Sequence, residues 1–190
     1  MKKIFIVLGH PDADSLTAAF TDHYEQGALR AGHEVRRMNL GDMHFDPILH
    51  KGYKVIQELE PDLKTFQENV RWADHLVIAY PNWWGTMPAL LKGVFDRAWL
   101  PGFAFRMRKE GVGWEKLLSG KTARVIILAN TNPFISDALF GDFTNELERA
   151  TLAFSGIRSR CHVFTPSEKA SDKKRKAWFN QMERFGARAV

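Results

Sequence analysis

One cysteine, Cys161, in 190 residues can close no intrachain disulfide, and no Cys/His spacing of the zinc-site kind occurs. The chain therefore reads as a protein of a reducing, cytoplasmic compartment whose fold rests on packing rather than on bridges or structural metal. No apolar run approaches the roughly 20 residues that span a bilayer, so membrane insertion is not expected. The opening "MKKIFIVLGHP" places two lysines before apolar residues, but Ile4 to Leu8 is too short for a signal-peptide core and ends in Gly-His-Pro. Neither G-x-x-x-x-G-K nor G-x-G-x-x-G is present, which removes the common nucleotide loops. There is also no internal repeat, low-complexity linker or clear boundary. A single domain over residues 1–190 is expected, long enough to bury a core of its own. Net charge is +5 with pI near 9.4, which favours anionic partners without choosing among nucleotides, nucleic acids and acidic membranes.

What is present is an alternation of short apolar runs with helical periodicity. Ile4–Leu8, Glu34–Met38, Leu76–Ala79, Ala123–Leu128 and Arg160–Phe164 read as five strands, several of them apolar on both faces. Ser15 is a candidate N-cap for a helix with the stripe Ala19, Phe20, His23, Tyr24, Gly27 and Ala28, which Gly32 would stop. Met87, Leu90, Leu91, Val94, Phe95, Ala98 and Trp99 share one broad helical face, with Lys92, Asp96 and Arg97 turned away. Trp178, Phe179, Met182 and Phe185 suggest a C-terminal helix. Such alternation implies a doubly wound α/β fold, and five strands suit the flavodoxin-like parallel sheet of order 2-1-3-4-5. Its ligand crevice lies at the carboxyl ends of the strands, where "GHPDADS" and "YPNWWGT" would meet.

The first of these loops suits a phosphate: His10 offers an imidazole, and Ser15 with Thr17 opens a helix whose first N–H groups are free. The plainer reading makes Ser15 only a cap and His10 a turn residue. In the second, Pro81 and Pro88 stiffen the chain, Gly85 permits close approach, and Trp83 and Trp84 can wall a slot for a planar heteroaromatic. The competing reading buries both indoles in a core or an interface. His44 and His50 read as surface or packing residues, and Lys173, Lys174, Arg175 and Lys176 as the solvated face of the last helix. Without an aligned basic stripe or interleaved aromatics, nucleic-acid binding is not expected.

Taken together, "IFIVLGHPDADSLT", "FDPIL", "ADHLVIAYPNWWGTMPALLKGVFDRAW", "GFAF" and "SGKTARVIIL" resemble the NAD(P)H:quinone oxidoreductase family, flavodoxin-like proteins that include bacterial quinone reductases and potassium-efflux ancillary subunits. The resemblance places His10, Ser15, Leu16 and Thr17 around the flavin phosphate and ribityl chain. It lines the isoalloxazine with Pro81, Asn82, Trp83, Trp84 and Gly85, and adds Asn130, Thr131 and Asn132 from "ANTNPFISD", where many relatives carry a glycine-rich turn. Phe103 and Phe105 would lie near a substrate pocket completed across a two-fold homodimer. The tyrosine and histidine that assist the animal enzymes have no secure match. The activity implied is transfer of two electrons from NAD(P)H through flavin N5 to quinones or similar acceptors, with ping-pong kinetics. FMN is favoured over FAD because the short C-terminus leaves little room to hold an adenosine. The alternative is a flavin-binding ancillary subunit docked on a membrane potassium-efflux system.

Overall fold

The computed structural model describes residues 1–108 and 110–190. Five strands, β1 (Lys3–Leu8), β2 (Glu34–Asn39), β3 (His75–Pro81), β6 (Thr122–Leu128) and β7 (Arg158–Phe164), form one all-parallel sheet in the order β2-β1-β3-β6-β7. This is the expected flavodoxin-like order, and the expected strands are met to within two residues at each end.

Helices α1 (Leu16–Arg30) and α6 (Asp172–Arg188) cover one face of the sheet, and α2 (Pro61–Trp72) and α3 (Ala89–Ala98) the other. The side-chain alternation of each strand feeds two separate cores. Phe5 and Val7 face α2 and α3, while Ile4 and Ile6 face α1 and α6. The α1–α6 contact is so close that a Cβ on Gly186 would stand 2.0 Å from Tyr24 O, and one on Gly27 would stand 2.1 Å from Glu183 O. Only glycine lets these backbones touch.

Several elements go beyond the sequence reading. Helix α2 opens with Pro61 in its first turn and buries Leu63, Phe66 and Val70. A short hairpin, β4 (Phe105–Met107) and β5 (Trp114–Lys116), follows α3. The segment read as a loop after β6 is helix α4 (Pro133–Phe140), with Asn132 as N-cap. Helix α5 (Asn145–Leu147) runs on as a π-helix over Glu148–Ala153. Arg97 also departs from expectation: rather than turning outward, it is 1% exposed. Its guanidinium pairs with Glu60 at 2.8 Å and donates to the carbonyls of Glu58 and Asp46, which pins the 44–60 segment onto α3.

Candidate functional site

The parallel register sets the carboxyl ends of β1, β3 and β6 side by side, with Leu8 opposite Ala79 and Tyr80 opposite Ile127. The three loops that leave them meet there. Gly9 N–H donates to Ala79 O at 2.7 Å, and a Cβ on Gly9 would stand 2.8 Å from Leu91 Cδ2 and 3.0 Å from Ala79 O. Glycine is needed at this strand end because the next strand and α3 leave no room.

In the first loop His10 Nδ1 lies 2.9 Å from Asp12 N and 3.1 Å from Asp12 O, so the ring is tied to the turn through that nitrogen. Ser15 caps α1 by accepting from Ala18 N–H at 3.2 Å, and Ser15 O takes Ala19 N–H. Among the described residues this leaves the amides of Leu16 and Thr17 as the free donors of the helix start. The Leu16 side chain packs against the core and Thr17 is 2% exposed, so from these two the backbone, not the side chain, is what an anion could meet.

The second loop makes a tight two-residue turn: Trp83 N–H donates to Thr86 O and Thr86 N–H to Trp83 O. Trp84 and Gly85 both have positive φ, at 56° and 80°, the pattern of a type I′ turn. Trp83 meets His10 edge-to-face with ring centres 5.5 Å apart, which couples the two loops. Trp84 is fully exposed. The turn is held from behind by Glu146, whose Oε1 accepts from Met87 N–H at 3.2 Å and from the Thr86 hydroxyl.

Other tryptophans behave differently: Trp99 donates to Ser155 Oγ at 2.6 Å, Trp114 donates to Phe154 O at 2.7 Å and stacks on that ring, and Trp178 lies in the core. Trp84 thus stands apart, exposed and in the left-handed region that a bulky residue rarely adopts.

Between this turn and α4 lies a groove of about 470 Å³ lined by Asn82, Trp84, Gly85, Asn130, Thr131 and Ser136. Asn82 N–H extends the β3–β6 ladder by donating to Leu128 O, and its Oδ1 is buried without a partner among the described residues. The third loop is itself held in place. Asn130 Oδ1 accepts from Ser167 and from Glu168 N–H, Thr131 O accepts from Thr165, and Asn132 Oδ1 caps α4 through Phe134 N–H. The carbonyl of Asn132 is therefore committed to the helix, while the Asn130 side-chain amide stays available as a donor. Pro81, the last residue of β3, is half-buried where the tryptophan loop begins.

Phe103 and Phe105 do not join this groove. Phe103 is 6% exposed, edge-on to Trp99 and covered by the Arg71 guanidinium 4.8 Å from its ring centre. Arg71 O is held by Lys121, just before β6, so Phe103 is a core residue toward the amino edges of the strands. Phe105 packs on Phe154 and lines a separate cavity with Met87, Phe95 and Trp99. Among the exposed apolar residues, Trp84, Phe134, Ile135 and Leu139 lie beside the groove.

Burial pushes the Cys161 thiol and the Tyr80 phenol well above their ordinary values, so both stay protonated. Among the described residues no group of three or more His, Cys, Asp or Glu gathers as a metal site, and no helix is long and apolar enough to cross a membrane.

The sequence pattern of proteins with the flavodoxin-like fold matches residues 2–185. The chain belongs to this family. It is 30% identical to an uncharacterised NAD(P)H oxidoreductase of Escherichia coli over 128 residues, 63% of this chain and 65% of that one. Across four curated relatives, among them NAD(P)H dehydrogenase [quinone] 1 of Cavia porcellus, the match spans between 46% and 65% of their length. The crystal structure of Smu.1420 from Streptococcus mutans superposes with a TM-score of 0.83 at 30% identity, covering 98% of this chain and 99% of that one. An FMN-dependent NADH-azoreductase from Bacillus anthracis, solved in complex with FMN, shares the fold at 19% identity and a TM-score of 0.76, each chain covered in full.

Proposed function

We propose that the protein is a flavin-dependent NAD(P)H oxidoreductase that passes two electrons to quinones or similar planar acceptors. The observation that carries this reading is the Trp83–Trp84–Gly85 turn, strained, exposed and joined to the His10 loop at the mouth of a 470 Å³ groove.

The residues present fit a flavin mononucleotide. Asn82 Oδ1 is a buried acceptor without a donor, which the N–H-bearing pyrimidine edge of a flavin could supply. The free amides of Leu16 and Thr17, with the His10 imidazole on the same loop, suit the phosphate. Trp83 and Trp84 would wall the ring system, Gly85 lets the backbone approach it, and Asn130, Thr131 and Asn132 close the polar side. FAD would need a further adenosine site, which none of these residues supplies.

When bound, a flavin accepts and donates hydride at N5, so donor and acceptor alternate over one face and kinetics are ping-pong. The chain's own part is to orient the ring, exclude water from one face and present fixed backbone donors to it. No protein acid or base is assigned, since Tyr80 and Cys161 are sealed in the interior. A homodimer would cover the apolar rim of Trp84, Phe134, Ile135 and Leu139.

The reading is tested by loading the purified protein with FMN and following NADPH and NADH oxidation with menadione as acceptor. Turnover that depends on added FMN supports it. Absence of turnover with both donors, despite bound FMN, contradicts it.

A further inference from the structure

The groove does not end at Trp84. That residue, Gly85 and Ser136 also line a second chamber of about 340 Å³, closed by Asp142, Phe143, Asn145 and Glu146. Its polar chemistry is one-sided. Asp142 uses Oδ1 to accept from Thr144 N–H at 2.9 Å and from its hydroxyl at 2.6 Å, leaving Oδ2 without a donor among the described residues. Those bonds hold its carboxyl below the ordinary value, with the nearby Arg149 assisting. Glu146 likewise spends Oε1 on the Trp83–Thr86 turn, and Oε2 has no donor among the described residues. Asn145 Oδ1 is buried with no partner among the described residues.

Ser136 is the independent sign that something binds here. It is 5% exposed, it lines both compartments, and its hydroxyl has no partner among the described residues. A hydroxyl on a largely buried residue that lines a cavity is a natural anchor for a ligand or water there.

We propose that this chamber is a subsite for planar acceptors that carry a positive charge or an N–H donor, seated against the Trp84 indole. The flat exposed ring attracts a cation over its face, and two carboxylate oxygens supply the counter-charge. Ser136, at the junction of the compartments, holds the ligand at the boundary with the main groove. The catalytic consequence rests on the flavin reading above, but the binding itself does not.

The full-length protein, without and with FMN, is titrated by calorimetry with methylene blue, a planar cation, and with anthraquinone-2-sulfonate, a planar anion. Methylene blue should bind in both forms and the anion should bind more weakly. Asp142→Asn keeps the Thr144 bonds and removes one charge; it should weaken methylene blue about three- to fivefold at low salt and less at high salt. Glu146→Gln, which can still accept from Met87, should act in the same direction. Equal affinity for the two dyes, or unchanged methylene blue affinity in both variants, overturns the proposal. Menadione reduction by the FMN-loaded wild type reads the flavin assignment separately: its failure alongside charge-selective dye binding would remove the oxidoreductase reading and leave the subsite standing.

Discussion

Replacing Trp84 separates a ligand wall from a packing residue, because the two roles put opposite signs on the stability change. Trp84 buries none of its ring within the chain and holds φ at 56°, where a bulky L-residue is strained by about 1–2 kcal/mol. Trp84→Asn creates Asn-Gly, the pair that type I′ turns favour most. With no apolar burial to lose, the flavin-free variant should be more stable than wild type by about 0.5–1 kcal/mol. Losing a stacking partner worth about 0.5–1.5 kcal/mol should weaken FMN by up to about tenfold. The first effect is read from urea denaturation of the flavin-free protein and the second from flavin fluorescence on titration. A packed tryptophan behaves otherwise, since its truncation costs about 3–5 kcal/mol. Destabilisation of that size, or unaltered FMN affinity with normal turnover, would refute the reasoning.

Three further outcomes are expected. Changing His10 and Ser15 together to alanine should cost about 1 kcal/mol through the lost cap and weaken FMN more than riboflavin, which lacks the phosphate; equal weakening of both ligands would count against the phosphate assignment. His75 is buried, accepts or donates at 2.7 Å to Thr122 Oγ1, and is pushed by burial and then by Arg124 from 6.5 to about 3. Its folded pKa is depressed, so its contribution is complete above pH 6.5 and is lost as pH falls toward 3, by about 3–5 kcal/mol; His75→Gln should flatten that acid limb in pH-dependent denaturation, and an unchanged limb would contradict the assignment. Gly186→Ala must part α1 from α6, since the new Cβ would sit 2.0 Å from a backbone oxygen, and a loss of about 3 kcal/mol is expected by thermal denaturation; a wild-type melting temperature would show that the contact yields freely.

The sheet was legible because its strands are short apolar runs of β-branched residues, and parallel strands buried on both faces leave just that trace. The crevice followed from the topology, and so did the meeting of His10 with Trp83. What the periodicity concealed has local causes. Arg97 looked solvent-facing because a charged residue at the edge of an apolar stripe ordinarily is, and its partners Glu60, Glu58 and Asp46 lie 37 to 51 positions away. Asn132-Pro133 is a helix start signal, but α4 turns Ser136 inward while Phe134, Ile135 and Leu139 stay exposed, so its burial inverts the usual amphipathic reading. The "GFAF" resemblance places Phe103 near a pocket completed by a second subunit, and within one chain the ring packs on Trp99 under the Arg71 guanidinium. Ser136 carried no sequence signal at all; only the shape of the two cavities singles it out.

The central claim is that the crevice at the carboxyl ends of β1, β3 and β6 holds a flavin, and titration of the flavin-free protein with FMN, followed by quenching of flavin and tryptophan emission, tests it most directly. The structure predicts saturable, stoichiometric quenching of both signals that is weakened in Trp84→Asn. Emission that stays at the level of free FMN throughout the titration would contradict the account.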